Sequence, residues 1–352
     1  MEEDYFKGRG AQINTPNPHL KQRIVTEHSE GLDEPLLQNE LTQYIREHPK
    51  KVVNKVNSPD VGMAWSVNAY QGCEHGCVYC YARTTHQYWG WSAGLDFERK
   101  IIVKENAPQL LEKHLQKPGW KGETIVFSGN TDCYQPAEKR FRLTRKMLEV
   151  CLKYGQPVGI ITKNSLVLRD LEVLMELNKR NLVAVHLSIT SLKEDLRRKL
   201  EPRTATASKR LKVVETLAAN NIPVNVMVAP IIPGLTSQEV PQIVKAVALR
   251  GASSVNYTIV RLNGHIAELF EDWLRKNYPD RADKVLNQIR ACHGGQLKDS
   301  RFATRMRGEG KVADSIRQLF QLSKRRYLNG RQMRPLESSH FCPARGKQLP
   351  LF

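Results

Sequence analysis

The chain has 352 residues, 40% of them hydrophobic and 26% charged, the balance of an ordinary soluble globular protein with room for one large domain or two. No run approaches the ~18 consecutive apolar residues that a membrane span requires, and seven cysteines, an odd number in so long a chain, argue against a secreted disulfide scaffold. A formal net charge of +18 favours a polyanionic partner, because Lys and Arg that neutralise phosphates release condensed counterions.

Residues 1–65 contain breakers such as Lys7-Gly-Arg-Gly10 and Asn14-Thr-Pro-Asn-Pro18, which predict an extended arm with one short helix near Gln38–Glu47. The amino terminus Met1-Glu-Glu-Asp4 has neither the basic segment nor the apolar stretch of a secretion signal, so a reducing cytoplasm is expected. From residue 66 apolar β-branched runs alternate with amphipathic stretches. Strands are predicted near Trp65–Tyr70, Thr124–Phe127, Pro157–Thr162, Leu182–Ile189, Pro223–Ala229 and Ser254–Val260, with helices between them. Ser165 before Leu166–Leu177, and Ser237 with Glu239, mark two helix starts. Six strand-helix units in order predict an α/β fold with a parallel sheet and right-handed crossovers. Six are fewer than the eight of a closed barrel, so the sheet is open or a partial barrel, with ligands at the carboxyl ends of its strands. The expected organisation is an arm (1–65), a partial barrel (66–262), a basic helical extension (263–340) and a flexible tail (341–352).

Within Asn68-Ala-Tyr-Gln-Gly-Cys-Glu-His-Gly-Cys-Val-Tyr-Cys-Tyr-Ala-Arg83 the cysteines Cys73, Cys77 and Cys80 stand in the spacing Cys-x3-Cys-x2-Cys. A cubane of four irons takes four ligands, and three thiolates on one loop leave one iron open as a reaction site. The competing reading is a structural zinc knuckle, which needs a fourth protein ligand; Cys133, Cys151, Cys292 and Cys342 are scattered singly. Cys292-His293 after a helix reads as incidental. Tyr88, Trp89 and Trp91 either stack on a base or pack the first helix. Gln296–Phe352 holds thirteen Lys or Arg against four Asp or Glu, a basic region that either holds phosphates or solubilises the surface.

The cysteine loop resembles the radical S-adenosylmethionine superfamily. That resemblance implies a 4Fe-4S cluster on Cys73, Cys77 and Cys80 and a partial (β/α)6 barrel. It also implies S-adenosyl-L-methionine on the open iron, cleaved reductively to methionine and a 5′-deoxyadenosyl radical, and an electron donor such as flavodoxin or ferredoxin. Tyr79 matches the aromatic position near the adenine. Ser128-Gly129, after the second strand, resembles the element that meets the methionine amino group. The march Lys163, Ser188-Ile-Thr190, Glu201-Pro-Arg-Thr204, Arg210-Leu211 and Val228-Ala-Pro-Ile231 is similar to spore photoproduct lyase and to the DNA-repair-photolyase-like bacterial group. By that likeness Lys163, Ser188 and Pro230 hold S-adenosylmethionine, and the substrate is DNA, with RNA modification as the alternative and a zinc-stabilised nucleic-acid-binding module as a further one. The lyase's hydrogen-donating cysteine aligns with Gly129, so dimer reversal does not carry over. Cys133 with Tyr134 is the substitute hydrogen-donating pair to be tested against simple packing. The terminal Gln348-Leu-Pro-Leu-Phe352 resembles a sliding-clamp-binding peptide, in which Gln348, Leu349, Leu351 and Phe352 would enter an apolar groove.

Overall fold

Apolar residues at alternate positions of the central strands share one face of a single sheet. The computed structural model describes residues 6–20 and 41–343. Its strands are β1 (Gln43–Glu47), β2 (Val53–Lys55), β3 (Trp65–Val67), β4 (Tyr70–Gln71), β5 (Lys100–Lys104), β6 (Ile125–Phe127), β7 (Val158–Thr162), β8 (Val183–Ser188), β9 (Val224–Ile231) and β10 (Ser254–Ile259). The larger sheet runs β10-β9-β8-β7-β6-β3-β2, parallel except for β2 at its edge. Among the described residues its ends, β2 and β10, are not paired with each other, so the sheet is a partial barrel.

Register explains the two faces. Val67, Phe127, Ile160, Val185 and Val224 lie side by side across five strands, and Leu187, Val226 and Val255 form the next row. All belong to the main apolar core. The helices are α1 (Leu95–Arg99), α2 (Ala107–Leu115), α3 (Ala137–Phe141), α4 (Leu143–Tyr154), α5 (Leu171–Asn178), α6 (Glu194–Leu200), α7 (Ala207–Ala219) and α8 (Val240–Ala248); all of these but α1 and α6 contribute to that core. Met147, Leu148, Val213, Leu217, Ile243 and Val247 from α4, α7 and α8 fill the same core, each worth about 1.5–3 kcal/mol of transfer free energy for its larger apolar side chains. The opposite face carries Ser66, Gly159, His186, Asn225, Ser254 and Asn256. These are joined by bonds such as Ser254 Oγ to Asn225 Oδ1 at 2.7 Å.

Two expectations change. The run from Trp65 to Tyr70 is two strands, because β4 leaves the large sheet to pair antiparallel with β5 in a second sheet, β1-β5-β4. Residues 43–47 are strand β1 rather than helix: the apolar strand Ile101-Ile102-Val103 offers a parallel partner, and that pairing overrides a weak local preference. Residues 38–40 lie outside the described residues. Beyond the sheet, α9 (Ile266–Asn277) and α10 (Pro279–Cys292) build a second core in which Trp273, Leu286 and Ile289 meet Val78 and Tyr79 of the cysteine loop. Helix α11 (Gly310–Leu328) instead joins the main core through Ile316 and Phe320. No helix among the described residues is long and apolar enough to cross a membrane.

Candidate active site

The cysteine loop is held from three sides. Cys73 N donates to Phe97 O at 2.9 Å, and Val78 N donates to Leu200 O at 3.2 Å. Arg83, fully buried, donates to Cys77 O at 2.9 Å, to the carbonyls of Ala93 and Gly94, and to Glu98. Glu98 in turn accepts from Gly10 N at 3.0 Å and Ala11 N at 2.8 Å, so the amino-terminal arm is clasped onto the loop. The contact is so close that a Cβ on Gly10 would lie 1.7 Å from Gly76 O, while Gly76 itself has φ 68°.

The three cysteines face one cavity of about 230 Å³ at the carboxyl ends of the strands. Tyr79, Tyr81, Ser128, Asp132, Lys163, Ser188, Pro230 and Arg261 line its other walls. Burial pushes the Cys73, Cys77 and Cys80 thiols up, with Asp132 adding to the effect at Cys73 and Glu201 at Cys77. Three soft donors on one wall, disfavoured as free thiolates, fit a group that brings positive charge to them, and a 4Fe-4S cluster does so.

Glu201 organises one side of the cavity. It is fully buried and accepts from Tyr79 OH, from Thr190 Oγ1 at 2.7 Å and from Arg210 at 2.5 Å. Burial alone would raise its pKa; Arg210, Lys163 and the Tyr79 hydroxyl outweigh that and hold it well below the usual carboxylate range. Arg210 continues to Ser188 O at 2.9 Å. Lys163 Nζ sits 3.5 Å from Glu201 and 5.6 Å from the centre of the Tyr79 ring. On the other side Asp132 accepts from Thr162 Oγ1 at 2.8 Å and Lys163 N at 2.7 Å, and lies 3.3 Å from His75 Nδ1. Burial works against the Asp132 charge, but His75 and these donors lower its pKa overall. Both carboxylates buttress groups on the cavity wall.

Sequence reasoning assembled Cys73, Cys77, Cys80, Tyr79, Ser128, Lys163, Ser188 and Pro230, and all eight line the cavity. Gly129 is not among its lining residues. The left-handed backbone falls on Ser128, φ 72°, while Gly129 makes room for Ser66, whose Cβ would be 2.6 Å from an added Cβ. Cys133 and Tyr134 belong to the main core and are not among the cavity's lining residues. Tyr134 OH donates to buried Asp170 at 3.0 Å, while the Cys133 thiol, pushed up by burial, lies 4.0 Å from the carbonyl of Ile161, a residue of the cavity wall. Asp132, Glu201, Arg210 and Arg261 were missed as site residues; Glu201 and Arg210 stood within quoted motifs, but nothing local showed that they pair.

Several basic residues of the Gln296–Phe352 region serve the fold. Arg301 pairs with Asp299 and Glu309, Arg305 with Asp60 at 2.5 Å, and Arg331 donates to the carbonyls of Ala248 and Ala252. Lys311, Arg325 and Arg326 on α11 are exposed. Cys292 is core, and His293 bridges Val260 O at 2.8 Å and Asp299 at 3.2 Å. Tyr88 stacks on His19 of the arm, and Trp91 packs on His86.

The model of the Radical SAM superfamily matches residues 67–247, just over half of the chain. The chain belongs to the radical S-adenosylmethionine superfamily. Its cofactors are therefore a 4Fe-4S cluster and S-adenosylmethionine, and the family, not a zinc knuckle, accounts for the three cysteines. An uncharacterized protein of Mycobacterium tuberculosis (strain H37Rv) is 34% identical over 234 residues, covering 66% of this chain and 69% of that one. An uncharacterized protein of Methanocaldococcus jannaschii is 30% identical over 251 residues, 71% of this chain and 89% of that one. Among solved structures, spore photoproduct lyase complexed with dinucleoside spore photoproduct superposes with a TM-score of 0.59 at 16% identity, over 82% of this chain and 80% of the other. This radical SAM protein thus shares its fold with that lyase.

Proposed function

We propose that this chain is a radical SAM enzyme acting on DNA, in a lyase-like repair or modification of a nucleotide. The observation that carries the proposal is the cavity's rim. Tyr81, 54% exposed, and Arg261 lie on the wall, and the loop that supplies Met306 also carries Phe302, 55% exposed, with Arg305 4.5 Å over its ring. Exposed rings on a rim that also carries the Arg261 guanidinium suit stacked bases and their phosphates. The excess of positive charge supports the same partner. So does the dinucleoside bound by the fold neighbour.

Cys73, Cys77 and Cys80 would hold the cluster, and Tyr79, Ser128, Lys163, Ser188 and Pro230 would surround S-adenosylmethionine. That pair of cofactors would supply a 5′-deoxyadenosyl radical when an external donor such as flavodoxin or ferredoxin delivers an electron. Glu201 keeps Lys163 and Tyr79 in place. RNA would meet the same rim. The clamp-like segment Gln348–Phe352, outside the described residues, favours DNA.

The test is anaerobic reconstitution with iron and sulfide, then dithionite and S-adenosylmethionine, measuring 5′-deoxyadenosine in the intact protein and in Cys77→Ala. Product only from the intact protein, increased by DNA oligomers over RNA of the same sequence, is expected. Stimulation by RNA alone would replace DNA in the proposal, and indifference to both would remove nucleic acid from it.

A further inference from the structure

We propose that Arg261 binds a phosphate of the substrate strand. The inference rests on the nucleic-acid reading above and names the group that positions the strand over the cavity. The family's shared segment ends at residue 247, and it contributes the cysteines, Ser128, Lys163, Ser188 and Pro230. The remaining wall, Thr258 to Arg261 with Met306, lies outside that segment. A cofactor common to the superfamily is held by what the superfamily shares. The wall that is not shared faces the partner that differs.

On that wall Arg261 makes no ion pair with a carboxylate among the described residues. Its one hydrogen bond among the described residues runs from NH1 to the thioether of Met306 at 2.8 Å, a weak acceptor. The neighbouring acids are engaged elsewhere: Asp60 accepts from Arg305 and from Ala303 N, and Asp299 from Arg301. Burial costs the guanidinium hydration and Arg305 adds repulsion, which Tyr81, Asp60 and Asp299 only partly offset. A phosphodiester supplies two oxygens to its planar fork, a geometry a single ammonium does not reproduce. Tyr81, tied through its hydroxyl to Gly129 O at 2.9 Å, offers a fixed ring on the same rim for the adjoining base.

The experiment measures anisotropy of a labelled thymidine decamer on the reconstituted, full-length protein over a range of salt, for wild type, Arg261→Gln and Arg261→Lys. Arg261→Gln should bind roughly tenfold more weakly and shed about 0.7 from the log-log salt slope, the share of one single-strand phosphate. Arg261→Lys should recover the slope but only part of the affinity. A single neutral methylphosphonate, scanned along the decamer, should weaken wild type at one position and leave Arg261→Gln unaffected there. Equal affinity and slope in Arg261→Gln, with iron content and melting as in wild type, overturns the inference while leaving DNA binding intact. If Arg261→Gln does not fold, the scan on wild type and Arg261→Lys decides: a position-independent profile overturns it. Wild type that makes 5′-deoxyadenosine yet binds no nucleic acid removes the underlying reading and this inference with it.

Discussion

Glu201→Ala removes the acceptor on which one wall of the site converges. The carboxylate has no exposed surface and serves Tyr79, Thr190 and Arg210, with Lys163 at 3.5 Å. Its loss strands Arg210, 1% exposed, as a buried cation. Breaking a buried pair from one side costs about 3–5 kcal/mol. Arg210 keeps neutral acceptors at Ala205 O, Ser188 O and Thr204 Oγ1, so the lower end is expected, about 3 kcal/mol, or roughly a hundredfold in the unfolding constant. Replacing both partners, Glu201→Leu with Arg210→Met, removes the stranded charge and should return most of that loss. Tyr79 stands between Cys77 and Cys80, so freeing its hydroxyl should also lower iron retention. The assay is anaerobic urea unfolding of the reconstituted protein with iron counted per chain. A Glu201→Ala cost below ~1 kcal/mol, or a double variant worse than the single by the full cost of a second lesion, would refute the account of this pair as a charge-compensated unit.

Three further outcomes are expected. Gly10→Ala, whose Cβ would meet Gly76 O at 1.7 Å, should unseat the arm and speed the loss of the cluster's visible absorbance in air severalfold; an unchanged decay rate would show that the clasp does not protect the loop. His86, packed on Trp91 and Phe97, is pushed down to about 4 by burial, so the fold carries it neutral. The unfolded chain takes up its proton near pH ~6.5. The stabilisation is therefore complete above that pH and lost as pH falls toward 4, by about 3 kcal/mol, and His86→Leu should flatten that part of the pH-stability curve. Deleting Gln348–Phe352 should abolish capture on a bacterial sliding clamp while leaving iron content unchanged; undiminished capture would sink the clamp hypothesis.

How much of this was legible beforehand varies with sequence distance. The second to sixth strands of the parallel run were readable because β-branched runs bounded by breakers describe their own conformation, and register then follows from burying one face. The first was misjudged where Asn68 ends β3 and β4 crosses to another sheet, and β1 was taken for helix because its partner, β5, lies more than fifty residues on. Cys133 and Tyr134 stood at a strand end where neither period applies, so their direction into the core was not readable.

By itself the sequence determined the chelating loop, since three thiols at Cys-x3-Cys-x2-Cys spacing are brought together by a few bonds whatever surrounds them. It also determined the order of strands whose ends supply Ser128, Lys163, Ser188 and Pro230. Only the tertiary structure decided what neutralises Glu201, which arm residues clasp Glu98, and which arginines are consumed by internal partners while Arg261 on the cavity wall has no carboxylate ion pair among the described residues. Those outcomes depend on which charges are taken out of water together, and desolvation is a property of the packed chain, not of any stretch of it.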